Sequence, residues 1–130
     1  MLRQKPEGLD WQSSSHMAVP RLEEINLLHA SFCRALSEPK RILILYALKE
    51  KPRHVSALAE YLNIPQPTVS RHLRILRNQS LVRSEREGSA VIYYLADYRI
   101  IEVLEVMRQI LCDSLTHRTD LLQSPLTLET

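Results

Sequence analysis

The stretch PQPTVSRHLRILRNQSLV, Pro65 to Val82, decides how the rest of the chain is read. It carries Arg71, Arg74 and Arg77 at three-residue spacing and no acidic side chain. Val69 just before them and Leu73 and Leu76 between them stand at the positions that one face of a helix repeats. Pro67 suits the first turn of a helix, where the missing N–H would have had no intrahelical acceptor. The spacing predicts a helix from about Pro67 to Asn78 with an apolar back and a cationic front.

Upstream, VSALAEYL reads as a short helix with Leu58 and Leu62 facing inward, and Asn63-Ile64-Pro65 as the turn. Before it, KRILILYALKE is apolar on most sides, the pattern of a central buried helix. Pro39 opens that helix after a break at Ser37-Glu38, and Lys51-Pro52 ends it. Ile25, Leu28, Phe32 and Leu36 mark an earlier helix by their three- and four-residue steps. Downstream, LVRSEREGSAVIYYLAD alternates and is rich in Val, Ile and Tyr, which predicts a β-hairpin turning at Gly88-Ser89. A last helix is expected from Asp97 as N-cap, with a stripe of Ile100, Leu104, Met107, Leu111 and Leu115. Residues 1–20 show no period and are expected to be a disordered arm; 21–122 form the domain, and 123–130 a frayed tail.

A chain of 130 residues fits one domain with a modest core, and only two glycines favour helices over a glycine-punctuated β fold. The net charge of +2 is unevenly spread. Residues 51–94 hold seven Lys/Arg against three Asp/Glu, whereas 95–130 hold three against six. A basic middle beside an acidic C-terminal segment points to a polyanionic partner for the middle, or else to a merely solvated surface. No apolar run is long enough to cross a bilayer and the N-terminus lacks a signal-peptide core, so a cytoplasmic protein without membrane contact is expected, with Cys33 and Cys112 reduced.

Two short helices joined by a three- or four-residue turn make a helix-turn-helix, whose second helix fits the DNA major groove. Gln66, Thr68, Ser70 and Arg71 supply short polar groups and a cation at the N-terminal end of that helix. Gln can bond adenine and Arg can bond guanine in bidentate fashion. Arg74 and Arg77, further along, are expected to meet phosphates, which position the protein and make binding salt-dependent. His72 falls between the faces, as a phosphate or base contact or as a packing histidine bonded to a neighbouring backbone group. The charged hairpin would be a wing, offering Arg83, Arg86 and Ser89 to the flanking minor groove, diluted by Glu85 and Glu87. The fold class is thus mainly α with a β-hairpin wing, a winged helix-turn-helix.

Three segments together, ALSEPKRILILYAL, VSALAEYLNIPQPTVSRHLRILRNQSLV and REGSAVIYYL, resemble the ArsR-type family of bacterial winged-helix repressors over about Leu28 to Leu115. The resemblance implies a homodimer through the first and last helices. It also implies a double-stranded operator as partner and release by an inducer or by thiol modification. One family metal site uses a C-x-C pair, but His54 and Ser56 stand at those positions. Another runs along the last helix, where Asp97, Arg99, Ile110 and Asp113 replace its pattern and both imidazoles are lost, so no zinc site is expected there. A third group senses persulfides through two cysteines. Cys112 matches one of them, but Tyr46 stands at the other position.

Three readings of Cys33 and Cys112 stay open. They are inert, buried small hydrophobes; or a thiol switch that changes the spacing of two DNA-reading helices; or a soft-metal or arsenite site assisted by His29 or His117. No glycine-rich phosphate loop, nucleophile elbow or metalloprotease helix motif is present, which argues against an enzyme. The competing function is a winged-helix module for protein contacts or for sequence-blind DNA binding.

Overall fold

A computed structural model describes residues 18–122. Most of the expected arm and all of the expected tail lie outside them. The chain divides into two compact units, one ending at Ser37 and one beginning at Glu38.

In the first unit, α1 (Leu22–Leu28) runs into a π-helical segment, His29–Cys33. The helical run continues through Ala35, and the Ser37 hydroxyl donates to the Arg34 carbonyl at 2.7 Å. The expected stripe of Ile25, Leu28, Phe32 and Leu36 does not become a buried face. The first three are exposed and only Leu36 is half-buried. Part of the reason is local: i→i+5 bonding in a π-helical turn adds a residue and shifts the phase of a 3.6-residue pattern.

The second unit opens with α2 (Pro39–Glu50), where a Glu38 carboxylate oxygen accepts from the Lys40 N–H at 3.3 Å. Ile44, Leu45, Ala47 and Leu48 are buried as the apolar run predicts, and so is Arg41. The α2 C-terminus is closed by Arg53, whose Nε donates to the Ala47 carbonyl at 3.1 Å while Nη2 binds Glu50 at 2.7 Å. Arg53–His54 forms a short strand, β1, that the sequence pattern did not suggest.

Next come α3 (Val55–Leu62), α4 (Gln66–Asn78), β2 (Val82–Glu87), β3 (Ala90–Leu95) and α5 (Arg99–Leu122). The sheet order is β1-β3-β2, antiparallel throughout. α3 ends at Asn63, in the left-handed region at φ 54°, a conformation that Asn tolerates better than most residues. Val69, Leu73 and Leu76 of α4 are buried with Leu58 of α3, Ile44, Leu45 and Leu48 of α2, and Val82 of β2. Two-residue loops pair Glu87 with Ala90 across Gly88-Ser89, and only Gly88 has positive φ (66°), the pattern of a type II′ turn. Asp97 starts α5 as expected, its carboxylate accepting from the Arg99 N–H at 2.9 Å.

The α5 stripe is covered at one end only. Leu104 is buried, together with Ile101, but Met107, Leu111 and Leu115 are about half exposed, as are Val106 and Ile110.

Candidate nucleic-acid interface

The front of α4 is built by exclusion. With Val69, Leu73 and Leu76 fixed inward, a helix of 3.6 residues per turn turns Ser70, Arg71 and Arg74 outward and leaves Arg77 at the border; Gln66 shares the inward phase but is the first residue of the helix, and all five are exposed. Thr68 is half-buried and receives Arg71 Nη2 on its hydroxyl at 3.3 Å. The helix begins one residue earlier than the sequence pattern predicts. Gln66 is its first residue, and the Thr68 and Val69 amides both donate to the Pro65 carbonyl, at 3.0 and 3.1 Å. Asn63, Ile64 and Pro65 therefore suffice to turn α3 into α4.

His72 is half-buried, unlike the exposed arginines beside it. Arg41, from α2, donates through Nη1 to its Nδ1 at 3.3 Å. Burial first, and the Arg41 charge second, lower the imidazole pKa below 6.5. Of the two readings left open for His72, packing against a neighbour is the one with a visible partner, though that partner is a side chain and not backbone.

The wing is tied to α4. Arg77 Nη1 donates to the Ser84 hydroxyl of β2 at 3.3 Å. An open cleft of about 410 Å³ lies there, lined by Arg77, Ser80, Val82, Arg83, Ser84, Glu85 and Tyr94. Strand alternation puts Arg86 on the same face as Ser84 and Val82, and Arg83 on the face of Glu85 and Glu87. Both carboxylates have partners. Glu85 accepts from the Tyr94 hydroxyl at 3.1 Å, and Glu87 lies 3.4 Å from His54 Nε2. Arg83, Arg86 and Ser89 are all exposed.

Arg41, Ser84 and β1 are absent from the sequence reading. A cation on the inward side of an apolar helix was the available signal for Arg41. Ser84 gave none, because its role depends on how the wing meets α4. His54 caps the start of α3 and is half-buried in β1, its Nδ1 bonded to the Val91 carbonyl at 3.1 Å.

Cys33, at the end of the π-helical segment, and Cys112, on α5, are both exposed, which disagrees with the first of the three readings, that of buried, inert thiols. His29 and His117 are exposed as well. Tyr46, at the position of the missing thiol, has a buried hydroxyl with no hydrogen-bond partner among the described residues, and burial raises its pKa. Asp97, at a position of the α5 metal pattern, is bound instead by Arg99 at 2.7 Å, which holds its carboxyl down at about 2. Among the described residues no group of three or more His, Cys, Asp and Glu side chains is placed to hold a metal ion. No helix of the described residues is long and apolar enough to cross a membrane.

Residues 38–84, from the start of α2 into the wing, match the family described as bacterial regulatory protein, arsR family. The HTH-type transcriptional repressor SmtB of Mycobacterium tuberculosis is 44% identical over 86 residues, 66% of this chain and 64% of SmtB. The chain thus spans a little under two thirds of that relative's length. The crystal structure of M. tuberculosis Rv0081 superposes with a TM-score of 0.66 at 34% identity, covering 73% of this chain and 96% of Rv0081. The winged helix-turn-helix DNA-binding domain of Mb0332 from Mycobacterium bovis, described as homodimeric, has a TM-score of 0.65 at 26% identity over 77% of this chain and 94% of that domain. The family match lies on the helices and strand that build the cationic face, and the agreement with Rv0081 extends well beyond them: the chain belongs to the arsR family of bacterial regulatory proteins.

Proposed function

We propose that this chain is a sequence-specific, homodimeric DNA-binding repressor acting in the cytoplasm, with α4 as its reader and the β2–β3 hairpin as its wing. The observation that carries the reading is the α4 front: five exposed polar or cationic side chains with no carboxylate among them, on a helix anchored by three buried ones. Gln66, Thr68, Ser70 and Arg71 lie where base edges are read. Arg74, Arg77, Arg86 and Ser89 serve the phosphates, and Arg77 is already steered towards the wing by Ser84. That SmtB is a repressor supports the direction of control.

The second copy is supported by α5. Val106, Met107, Ile110, Leu111 and Leu115 leave a run of exposed apolar side chains along it, more than a solvated helix face would carry. α1 offers Leu22, Leu27 and Leu28 in the same state. A dimer is also what a reader of inverted repeats needs, with half-sites about one helical turn apart.

Release from DNA by thiol modification is supported by the exposure of both cysteines. A soft metal or arsenite held by Cys33 and Cys112, with His29 or His117 assisting, is the other inducer to try. The test is fluorescence anisotropy on the DNA upstream of the protein's own gene at one salt concentration, with reduced protein and with protein exposed to a persulfide donor or to arsenite. Tight binding of the reduced protein to an inverted repeat is expected, with loss on treatment and recovery with reductant. Salt-steep binding without sequence preference would refute the repressor reading. Binding unchanged by both reagents would remove the thiols from it.

A further inference from the structure

Arg41 is a buried charged residue, and its guanidinium reaches the reader helix. Its guanidinium has donors and no acceptor. The 3.3 Å contact with His72 therefore makes Nδ1 of the imidazole the acceptor. A neutral ring that accepts at Nδ1 carries its one hydrogen on Nε2. A protonated ring would set an N–H against an N–H and a cation against a cation.

The rest of the surroundings point the same way. Lys40 joins Arg41 from the start of α2, and Arg71 comes from α4 itself; all three disfavour charge on His72, and only Glu38 favours it. His72 follows Arg71 directly and precedes the buried Leu73, so it stands at the border of the exposed face. We infer that Arg41 is a positioning residue for DNA reading, fixing His72 as a neutral imidazole with a single Nε2–H donor for the DNA backbone. This rests on the repressor reading above. A donor of this kind holds α4 in register without adding a counterion to those released on binding.

The ring itself is tested first, without DNA, by long-range proton–nitrogen correlation on protein labelled at histidine nitrogen. His72 is expected in the Nε2–H form, titrating below 6.5. In Arg41→Met its midpoint should rise and the tautomers should mix, and Arg41→Lys should restore part of the effect. An Nδ1–H ring in the wild-type protein would overturn the inference even if Arg41→Met failed to fold. An unchanged His72 titration in folded Arg41→Met would overturn it too. DNA then reads the donor. His72→Phe should weaken operator binding about two- to tenfold, the range of one neutral hydrogen bond, with no change in the salt slope. His72→Gln, whose amide nitrogen reaches the Nε2 position, should recover most of the loss. Unchanged affinity in His72→Phe, or a slope reduced by about one counterion, would show that the ring is no donor or is a cation. If no variant and no wild-type protein bound DNA, the repressor reading would fall and take the donor role with it. The tautomer would still report on Arg41.

Discussion

Arg71→Ala separates reading from positioning on α4. The side chain is exposed, and the contact visible for it is the 3.3 Å bond from Nη2 to the Thr68 hydroxyl. Truncation therefore leaves no buried group unpaired, and folding stability should change by no more than about 0.5 kcal/mol. On DNA the expected loss is that of one bidentate base contact, about 1–3 kcal/mol. At about 1.4 kcal/mol per decade, this raises Kd for the preferred operator roughly 5- to 150-fold. The loss should vanish on operators already altered at the base pair that Arg71 reads, so discrimination at that position collapses while other positions keep theirs. The assay is anisotropy against the operator and its single-base-pair variants at fixed salt, followed by a salt titration. Wild-type discrimination in the Arg71→Ala protein would refute the assignment. So would a uniform loss on every sequence with a slope lower by about 0.9, which is the signature of a phosphate contact.

Other consequences can be checked more simply. Leu73→Ala, at a side chain 1% exposed, should cost about 2–5 kcal/mol of stability in chemical denaturation; a loss under about 1 kcal/mol would mean that α4 is not anchored as described. Ile110→Glu, at a position 59% exposed, should leave the fold's circular dichroism unchanged and shift the sedimentation of a dimer to that of a monomer; an unmoved dimer would place the interface elsewhere. Acid should act in two windows. His72 has a depressed pKa in the folded state, so the unfolded chain binds its proton first, and stability should fall as pH drops below about 6.5. His72→Phe should flatten that part of the melting profile. Asp97 also has a depressed pKa, so its contribution is present above 3.8 and is lost as pH falls towards about 2. Asp97→Asn should remove that second decline; an unchanged acid limb would show that the Arg99 pair does not persist in solution.

Most of the element order was legible because it depends on neighbours in sequence. Three- and four-residue spacing placed the helices, Pro39 and Pro67 placed two helix starts, and Gly88-Ser89 placed the hairpin turn. The outward set on α4 followed from the inward set, since a helix has only one phase. β1 was missed because two residues carry no period: Arg53 and His54 are a strand only because Tyr93 and Ile92 lie beside them.

What the sequence by itself determined was the identity of each face: which side of α4 is apolar, which is cationic, and that α5 has a continuous apolar stripe. What only the tertiary structure decided was what each face meets. Leu104 is buried and Leu111, seven residues on, is exposed, although both belong to one stripe. Arg41 stands on an apolar helix with no partner readable from the sequence until α2 and α4 are seen to bring it 3.3 Å from His72. Periodicity is set by the backbone's own geometry and is written locally. Burial and hydrogen-bond partners are set by segments distant in the chain, and no local pattern encodes which of them will arrive.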